Sequence, residues 1–358
     1  MIRAGDKRLV GIVTLPGRFN YGNRLQNFAV ARIWGSLGYR QESLVLRDRP
    51  NLVRSAKRFV KQLLGMLEPC PESLMSLGRL AAFDRFNENT PTRDLGLLDQ
   101  TLAESYEFFC VGSDQVWNLK MITYSDDWYF LEFARPEQRI ALAPSVGLDS
   151  LDSKQAKRLA RGVSGFPRLS VRERRGAELI KECSGRDAEV ICDPTLVLTP
   201  QEWRDVADDR CTPSEPYVFT YLLGGAGVEA RDVLDRVTDG GRIPVIPLSD
   251  RQKPDEPDAG PAEFIDLIDH AQHVVTDSFH AAVFSSILQT PLTITHREGG
   301  ASMFSRLEQL ADMLGIEHKI YGRPEYDLSR AGDYEGVPEA IDRECEKFMV
   351  YLKGCLDA

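Results

Sequence analysis

The sequence predicts an α/β protein built from two Rossmann-like domains that face each other across a central cleft. Three observations carry this reading. Short β-branched runs alternate with segments of helical spacing, which is the pattern of mostly parallel sheets. The alternation breaks once, in a proline-rich and acidic stretch, and then restarts. The chain has 358 residues, more than the roughly 100–200 that one domain usually takes. The expected division is an N-terminal Rossmann-like domain over 1–200, a linker over 201–216, and a C-terminal Rossmann-like domain over 217–358 that ends in a closing helix.

Val10–Leu15 is a β-branched run that stops at Pro16-Gly17, and Asn23–Leu37 then has helical spacing and closes at Gly38. Ser43–Leu46 supplies the next strand, with helices over Leu52–Met66 and Leu74–Phe86 on either side of Pro71. Phe108–Val111 and Arg139–Ala143 read as strands, Lys154–Val163 as a helix, Leu169–Val171 as a strand and Arg174–Glu182 as a helix. The stretch from Asp193-Pro194 to Pro216 loses this pattern and reads as a turn followed by the linker. Beyond it, strands are expected at Tyr217–Leu223, Pro244–Leu248, His273–Thr276 and Leu292–Thr295. Helices are expected at Val228–Val237, Pro261–Asp269, His280–Leu288 and Glu339–Leu356. Two such domains place ligands between the carboxyl ends of their sheets.

Composition excludes several classes. Hydrophobic residues are 42% and charged residues 27%, enough apolar material for packed cores. Seven cysteines, with no Cys-x-x-Cys pair and no Cys/His metal spacing, form neither a disulfide framework nor a zinc site, and they fit a reducing compartment. No apolar run approaches the roughly 18 residues that span a bilayer, and the first residues do not form a signal peptide. The net charge of −10 argues against a nucleic-acid binder. That charge is uneven: residues 1–60 hold twelve Lys or Arg against three acids, a net +9, while the rest carry −19. The basic part is expected to face something anionic, a phosphate-bearing substrate or a lipid surface.

Four clusters have the chemistry of a binding site. Asn20-Tyr21-Gly22 stands just before a helix whose first amides favour an anion or a polar sugar, although the same residues also make an ordinary capped helix start. Gly112-Ser113-Asp114-Gln115-Val116-Trp117-Asn118 follows a buried strand, and a carboxylate beside amides and an aromatic ring is what a carbohydrate site needs. Its alternative is turn chemistry. Ser170-Val171-Arg172-Glu173 ends another strand, so Arg172 suits a carboxylate or phosphate, or else a structural bridge to Glu173. Thr276-Asp277-Ser278-Phe279-His280 puts an imidazole at a helix start, ready to hold an anion or move a proton. Gly224-Gly225-Ala226-Gly227 is a weak phosphate-loop signal.

Taken in order, these segments resemble the polysaccharide pyruvyl transferase family. The motifs are Asn20-Tyr21-Gly22 with Leu25-Gln26, Gly112 to Asn118, Ser170 to Glu173, Asp193-Pro194-Thr195, Ser278-Phe279-His280, and Met303-Phe304-Ser305-Arg306-Leu307. The resemblance spans about residues 8–316. Ala281 departs from it, since glycine often follows the histidine, and this bears on how closely a substrate approaches that helix. The resemblance implies a fold like the B-type glycosyltransferases and transfer of a pyruvyl unit from phosphoenolpyruvate to a sugar hydroxyl pair, as a ketal, with release of phosphate. No cofactor is then expected, phosphoenolpyruvate being the donor substrate.

On this reading His280 and Arg172 are the catalytic pair, with His280 the first candidate acid and Asp114 or Glu173 the alternative proton carriers. Asn20, Tyr21, Gly22, Gln26, Ser113, Asp114, Gln115, Trp117, Glu173, Ser278, His296 and Arg306 bind substrate, with the acceptor nearer the N-terminal domain. The expected partner is a sugar or oligosaccharide acceptor, free or lipid-linked. Two rival readings stay open: a B-type glycosyltransferase using a nucleotide sugar, and a noncatalytic carbohydrate-binding protein. The expected location is the cytoplasm, with peripheral contact to the inner face of an anionic membrane through Arg54–Leu64. That segment has Lys and Arg beside Phe59, Val60, Leu63 and Leu64, and it also reads as an ordinary amphipathic helix over the core.

Overall fold

A computed structural model describes residues 8–17, 20–46, 71–96, 101–122, 126–297 and 304–357. The helix expected over Leu52–Met66 and the basic segment Arg54–Leu64 lie outside these residues, as does Met303.

The first sheet has five parallel strands: β1 (Leu9–Val13), β2 (Arg40–Leu46), β3 (Thr92–Leu95), β4 (Phe108–Val111) and β5 (Arg139–Ala141), in the order β3-β2-β1-β4-β5. A two-stranded parallel pair, β6 (Ser170–Val171) and β7 (Glu189–Val190), stands beyond β5. There the Arg172 amide donates to Pro144 O at 3.2 Å and Ser170 Oγ to Ala141 O at 2.6 Å. The second sheet has four parallel strands: β8 (Val218–Tyr221), β9 (Val245–Leu248), β10 (His273–Thr276) and β11 (Leu292–Ile294), in the order β11-β10-β8-β9. Strands β1, β8 and β10 are buried along their whole length, as central parallel strands covered on both faces must be, hence their continuous apolar runs.

Two helices fill the space between the sheets. Helix α1 (Tyr21–Ser36) is capped by Asn20, whose side chain accepts from the Asn23 amide at 2.9 Å, and most of its residues are buried. Helix α2 (Leu77–Asn87) packs on α1 through Phe83 and Phe86, and is followed by α3 (Asp126–Tyr129), α4 (Ser153–Ser164) and α5 (Arg174–Ser184). Next come α6 (Pro200–Arg204), α7 (Val228–Val237), α8 (Pro261–Asp269), α9 (Phe279–Leu288), α10 (Ser305–Leu314) and α11 (Val337–Leu356). Helix α9, buried at every position after Phe279, is the second filler.

One core runs through both halves. The Tyr21 ring lies 4.9–5.3 Å from Phe83, Tyr221 and Phe264, and Trp203 bridges Phe28 (5.5 Å) to Phe284 (4.8 Å). Arg79 on α2 is fully buried and reaches across to Glu256 at 2.9 Å. The stretch read as a linker holds α6, a capping box between Thr199 and Glu202, and Trp203, whose Nε1 donates to Thr195 O at 3.1 Å. Its Pro200 occupies a first helical turn, where a missing N–H costs nothing. The last helix returns to the first domain: Tyr351 Oη donates to Ala141 O at 2.8 Å and Cys345 Sγ lies 3.2 Å from Leu196 O.

Candidate functional site

In an open parallel sheet the strand order reverses at one point, and the loops leaving the two strands there diverge to form a crevice. The reversals fall between β1 and β4 in the first sheet and between β8 and β10 in the second. Their four exits meet. Asn20 and Gly22 follow β1, Asp114 and Gln115 follow β4, Leu223 follows β8, and Asp277, Ser278, Phe279 and His280 follow β10; together they line one cavity, which Arg297 and Arg306 complete.

Helix α9 points its N-terminus at this cavity, and no side chain caps it, so its first amides remain available to an anion. Asp277, just before this helix, does not cap it: it accepts from the Leu223 and Gly224 amides at 2.8 and 3.0 Å and pairs with Arg297 Nε at 3.3 Å. The Arg306 guanidinium is pushed down to about 10 by burial and then by nearby Arg172, so it remains a cation at neutral pH. Burial likewise lowers Arg24 to about 10, against the attraction of Asp114.

The centre of the arrangement is Asp193. Its Oδ1 accepts from the amide and hydroxyl of Thr195 at 3.0 and 2.7 Å, while its Oδ2 receives Arg172 Nη1 at 2.7 Å and Ser113 Oγ at 3.4 Å. His280 Nε2 lies 3.6 Å from the same Oδ2, outside hydrogen-bond range but within ion-pair range. Burial alone would raise the Asp193 pKa; His280 first and Arg172 next reverse this and hold the carboxyl well below the usual range. Burial also opposes charge on Arg172, and Asp193, Asp114 and Glu173 outweigh it, so its guanidinium is held more firmly protonated. Arg172 Nε and Nη2 and His280 Nε2 are buried without hydrogen-bond partners.

The sequence-derived site residues fall into three groups. His280, Asn20, Gly22, Asp114, Gln115, Ser278 and Arg306 line the cavity. Arg172, Ser113 and Glu173 stand behind its wall. The Arg172 guanidinium packs 4.8 Å from the Phe279 ring and 3.8 Å from Asp114, and Glu173 Oε1 accepts from the Val146 and Gly147 amides at 2.7 and 3.0 Å. Tyr21, Gln26, Trp117 and His296 are corrected, because each is committed elsewhere. Tyr21 is a core ring whose hydroxyl donates to Ala259 O at 3.0 Å. Gln26 is fully buried and braces the Gly112–Asn118 loop by accepting from the Ser113 amide at 2.7 Å. Trp117 is also fully buried, with Nε1 donating to Tyr129 O at 3.0 Å, so no sugar reaches its face. His296 turns away to Glu229 at 3.0 Å and stacks on Phe304.

Sequence reasoning missed Asp193, Asp277 and Arg297. Asp193 reads as a turn residue because it is one, and only its placement in the family motif marked it further. Among the described residues no group of three or more His, Cys, Asp or Glu is arranged to hold a metal ion, and no helix is long and apolar enough to cross a membrane.

Comparison with solved structures finds similarity of fold. Staphylococcus aureus MnaA in complex with UDP matches over 98% of this chain and 97% of that chain, at 10% identity and a TM-score of 0.52. The UDP-GlcNAc 2-epimerase of Neisseria meningitidis bound to UDP-GlcNAc matches over 97% and 99%, at 11% identity and a TM-score of 0.47. The two parallel sheets about a cleft, with the MnaA match over nearly the whole of both chains, show the expected fold, two Rossmann-like domains like the B-type glycosyltransferases. No curated protein matches the chain by sequence. The model of the polysaccharide pyruvyl transferases matches residues 20–294, a span that runs from the Asn20 cap through β11 and takes in the cavity residues from Asn20 to His280, and on that match the chain belongs to this family.

Proposed function

We propose that this protein transfers a pyruvyl group from phosphoenolpyruvate to a sugar of a cell-surface polysaccharide or its precursor, forming a cyclic ketal and releasing phosphate. One observation carries the reading: Arg172 and His280, from opposite halves, lean on a single buried carboxylate and keep buried side-chain nitrogens without hydrogen-bond partners beside a cavity that also holds Arg297 and Arg306. Buried donors of this kind are normally satisfied, so the arrangement calls for an anionic ligand. A donor with a carboxylate and a phosphate supplies it.

In this reading His280 protonates the methylene carbon of the donor, with the Asp193 carboxylate as counter-charge to the imidazolium. The adjacent carbon then becomes oxocarbenium-like, and a sugar hydroxyl adds to it. Phosphate departs with the electrons of its C–O bond, stabilised by Arg297, Arg306 and the open amides of α9, and a second hydroxyl closes the ring. One hydroxyl proton restores His280 and the other leaves with phosphate. Asp114, at the acceptor side of the cavity, is the base for the hydroxyls. The reaction as written needs no redox cofactor. The acceptor is an anionic or neutral sugar, free or lipid-carried, met in the cytoplasm or at the inner membrane face.

The test is release of inorganic phosphate from phosphoenolpyruvate with a panel of sugar acceptors and nucleotide-sugar controls. Acceptor-dependent phosphate release is expected, falling about 100-fold or more in His280→Ala, the usual loss of an acid–base group. Release of nucleotide from a nucleotide sugar, with no turnover of phosphoenolpyruvate, would overturn the reading.

A further inference from the structure

Helix α10 belongs to the second domain but takes hold of the first. Gln309, in its middle, donates from Nε2 to the carbonyl of Arg172 at 2.9 Å and accepts at Oε1 from the amide of Arg174 at 2.8 Å. The amide has its donor end against a carbonyl and its acceptor end against an N–H, so only this orientation satisfies both. The grip closes on a segment already fixed on its other side, since the Arg172 amide donates to Pro144 O. Three residues earlier on the same helix face, Arg306 enters the cavity. Arg174 also meets Asp312 at 2.7 Å, but both side chains are more than half exposed, and such a pair contributes little. Gln309 is the polar contact that joins the backbone of one cationic wall to the helix carrying the other.

We infer that Gln309 is a positioning residue for pyruvyl transfer: by clasping the backbone at 172–174 it fixes the separation of Arg306, in the cavity lining, from Arg172, just behind the wall, so that one anionic donor is held by the field of both. This rests on the proposed reaction for the identity of the donor. The clasp makes no direct contact with Asn20, Asp114 or Gln115 on the acceptor side and reaches Asp114 only through the Arg172 guanidinium at 3.8 Å, so its main effect is expected on the donor.

Three variants test it. Gln309→Met keeps the length and removes both hydrogen bonds, Gln309→Glu keeps the acceptor for the Arg174 amide while setting a carboxylate oxygen against the Arg172 carbonyl, and Asp312→Asn removes only the exposed ion pair. Gln309→Met is expected to raise KM for phosphoenolpyruvate about tenfold, from two modest hydrogen bonds lost, with acceptor KM and thermal midpoint near wild type. Gln309→Glu is expected to raise the donor KM at least as much, and Asp312→Asn to leave the kinetics unchanged. An unchanged donor KM in Gln309→Met, or donor KM, acceptor KM and thermal midpoint shifting together, overturns the inference. A ligand-free measurement separates it from the reaction itself: hydrogen exchange at the Arg174 amide must quicken in Gln309→Met. If it does not, the clasp is absent whatever the donor proves to be. If it does and wild-type protein releases no phosphate from phosphoenolpyruvate, the functional reading alone has failed.

Discussion

Gly22 and His280 meet so closely that a Cβ on residue 22 would lie 1.9 Å from the imidazole Nδ1. The glycine of the Asn-Tyr-Gly motif therefore makes room for the histidine of the opposite domain, rather than only for a ligand. It starts a helix, where alanine is otherwise favoured by about 1 kcal/mol, so the position gives up local stability to seat the ring.

This relationship makes a double-mutant prediction. Gly22→Ala alone must displace the imidazole, and it is expected to destabilise the protein by about 1–3 kcal/mol, as overpacking does, and to lower kcat at least tenfold. In a His280→Ala background the same change finds open space and becomes neutral or stabilising. Urea unfolding of the four proteins in the cycle gives the coupling, expected to be about 1–3 kcal/mol for residues in direct contact. Additive effects would show that the ring does not sit against the helix.

Asp193 predicts a pH signature. Its folded pKa lies well below the ordinary value of 3.8, so the stability it contributes is fully present above that value and is lost as pH falls below it. Asp193→Asn removes a charge that Arg172 and His280 share, and at pH 7 a cost of about 3–5 kcal/mol is expected, the range for a broken buried ion pair. The gap between wild type and variant should narrow when thermal unfolding is followed from pH 5 down to about pH 2. A gap that stays constant over that range would remove Asp193 from the role of shared anion.

Trp117 separates the structural part of its loop from the functional part. Trp117→Phe loses the hydrogen bond to Tyr129 O and some packing against Phe130 and Phe166, so a loss of about 1–3 kcal/mol is expected with acceptor KM unchanged. Asp114→Asn, on the cavity wall, is expected to raise acceptor KM at little cost in donor affinity. Steady-state kinetics with varied acceptor distinguish the two, and a tenfold rise in acceptor KM for Trp117→Phe at intact stability would return the ring to the sugar site.

The two sheets were legible because central parallel strands are buried on both faces and must be written as apolar runs between glycine and proline. Strand β3 was not, because it is an edge strand whose Thr92, Arg93 and Asp94 all face solvent. The expected linker misled for a related reason: prolines that begin short helices have the composition of prolines that prevent them, and only Trp203 hinted at burial. Within the site, motif membership marked the right segments without telling which side chain faces the cavity. Tyr21 and Trp117 stand beside Gly22 and Asp114 in sequence and point into the core instead. His296 and Arg306 looked equivalent after the last strand, and they are told apart only by the Glu229 carboxylate that turns one of them away. Asp193 joins partners distant in sequence, a relation that local pattern does not encode.

The contact of Tyr351 with Ala141, across 210 residues, gives the fold an order of assembly. During synthesis the first sheet leaves the ribosome with the place of α11 empty, and it stays so until the entire second sheet has been made. The domain begun first is thus finished last, and the pairing that completes it has one of the longest loops in the molecule to close. In the interval the apolar surface that Phe348, Tyr351 and Leu352 later cover stays exposed, surface of the kind that chaperones recognise and that aggregates when synthesis stalls. The same dependence protects function: a chain whose first half cannot be completed without its second presents Arg172 and His280 together or not at all.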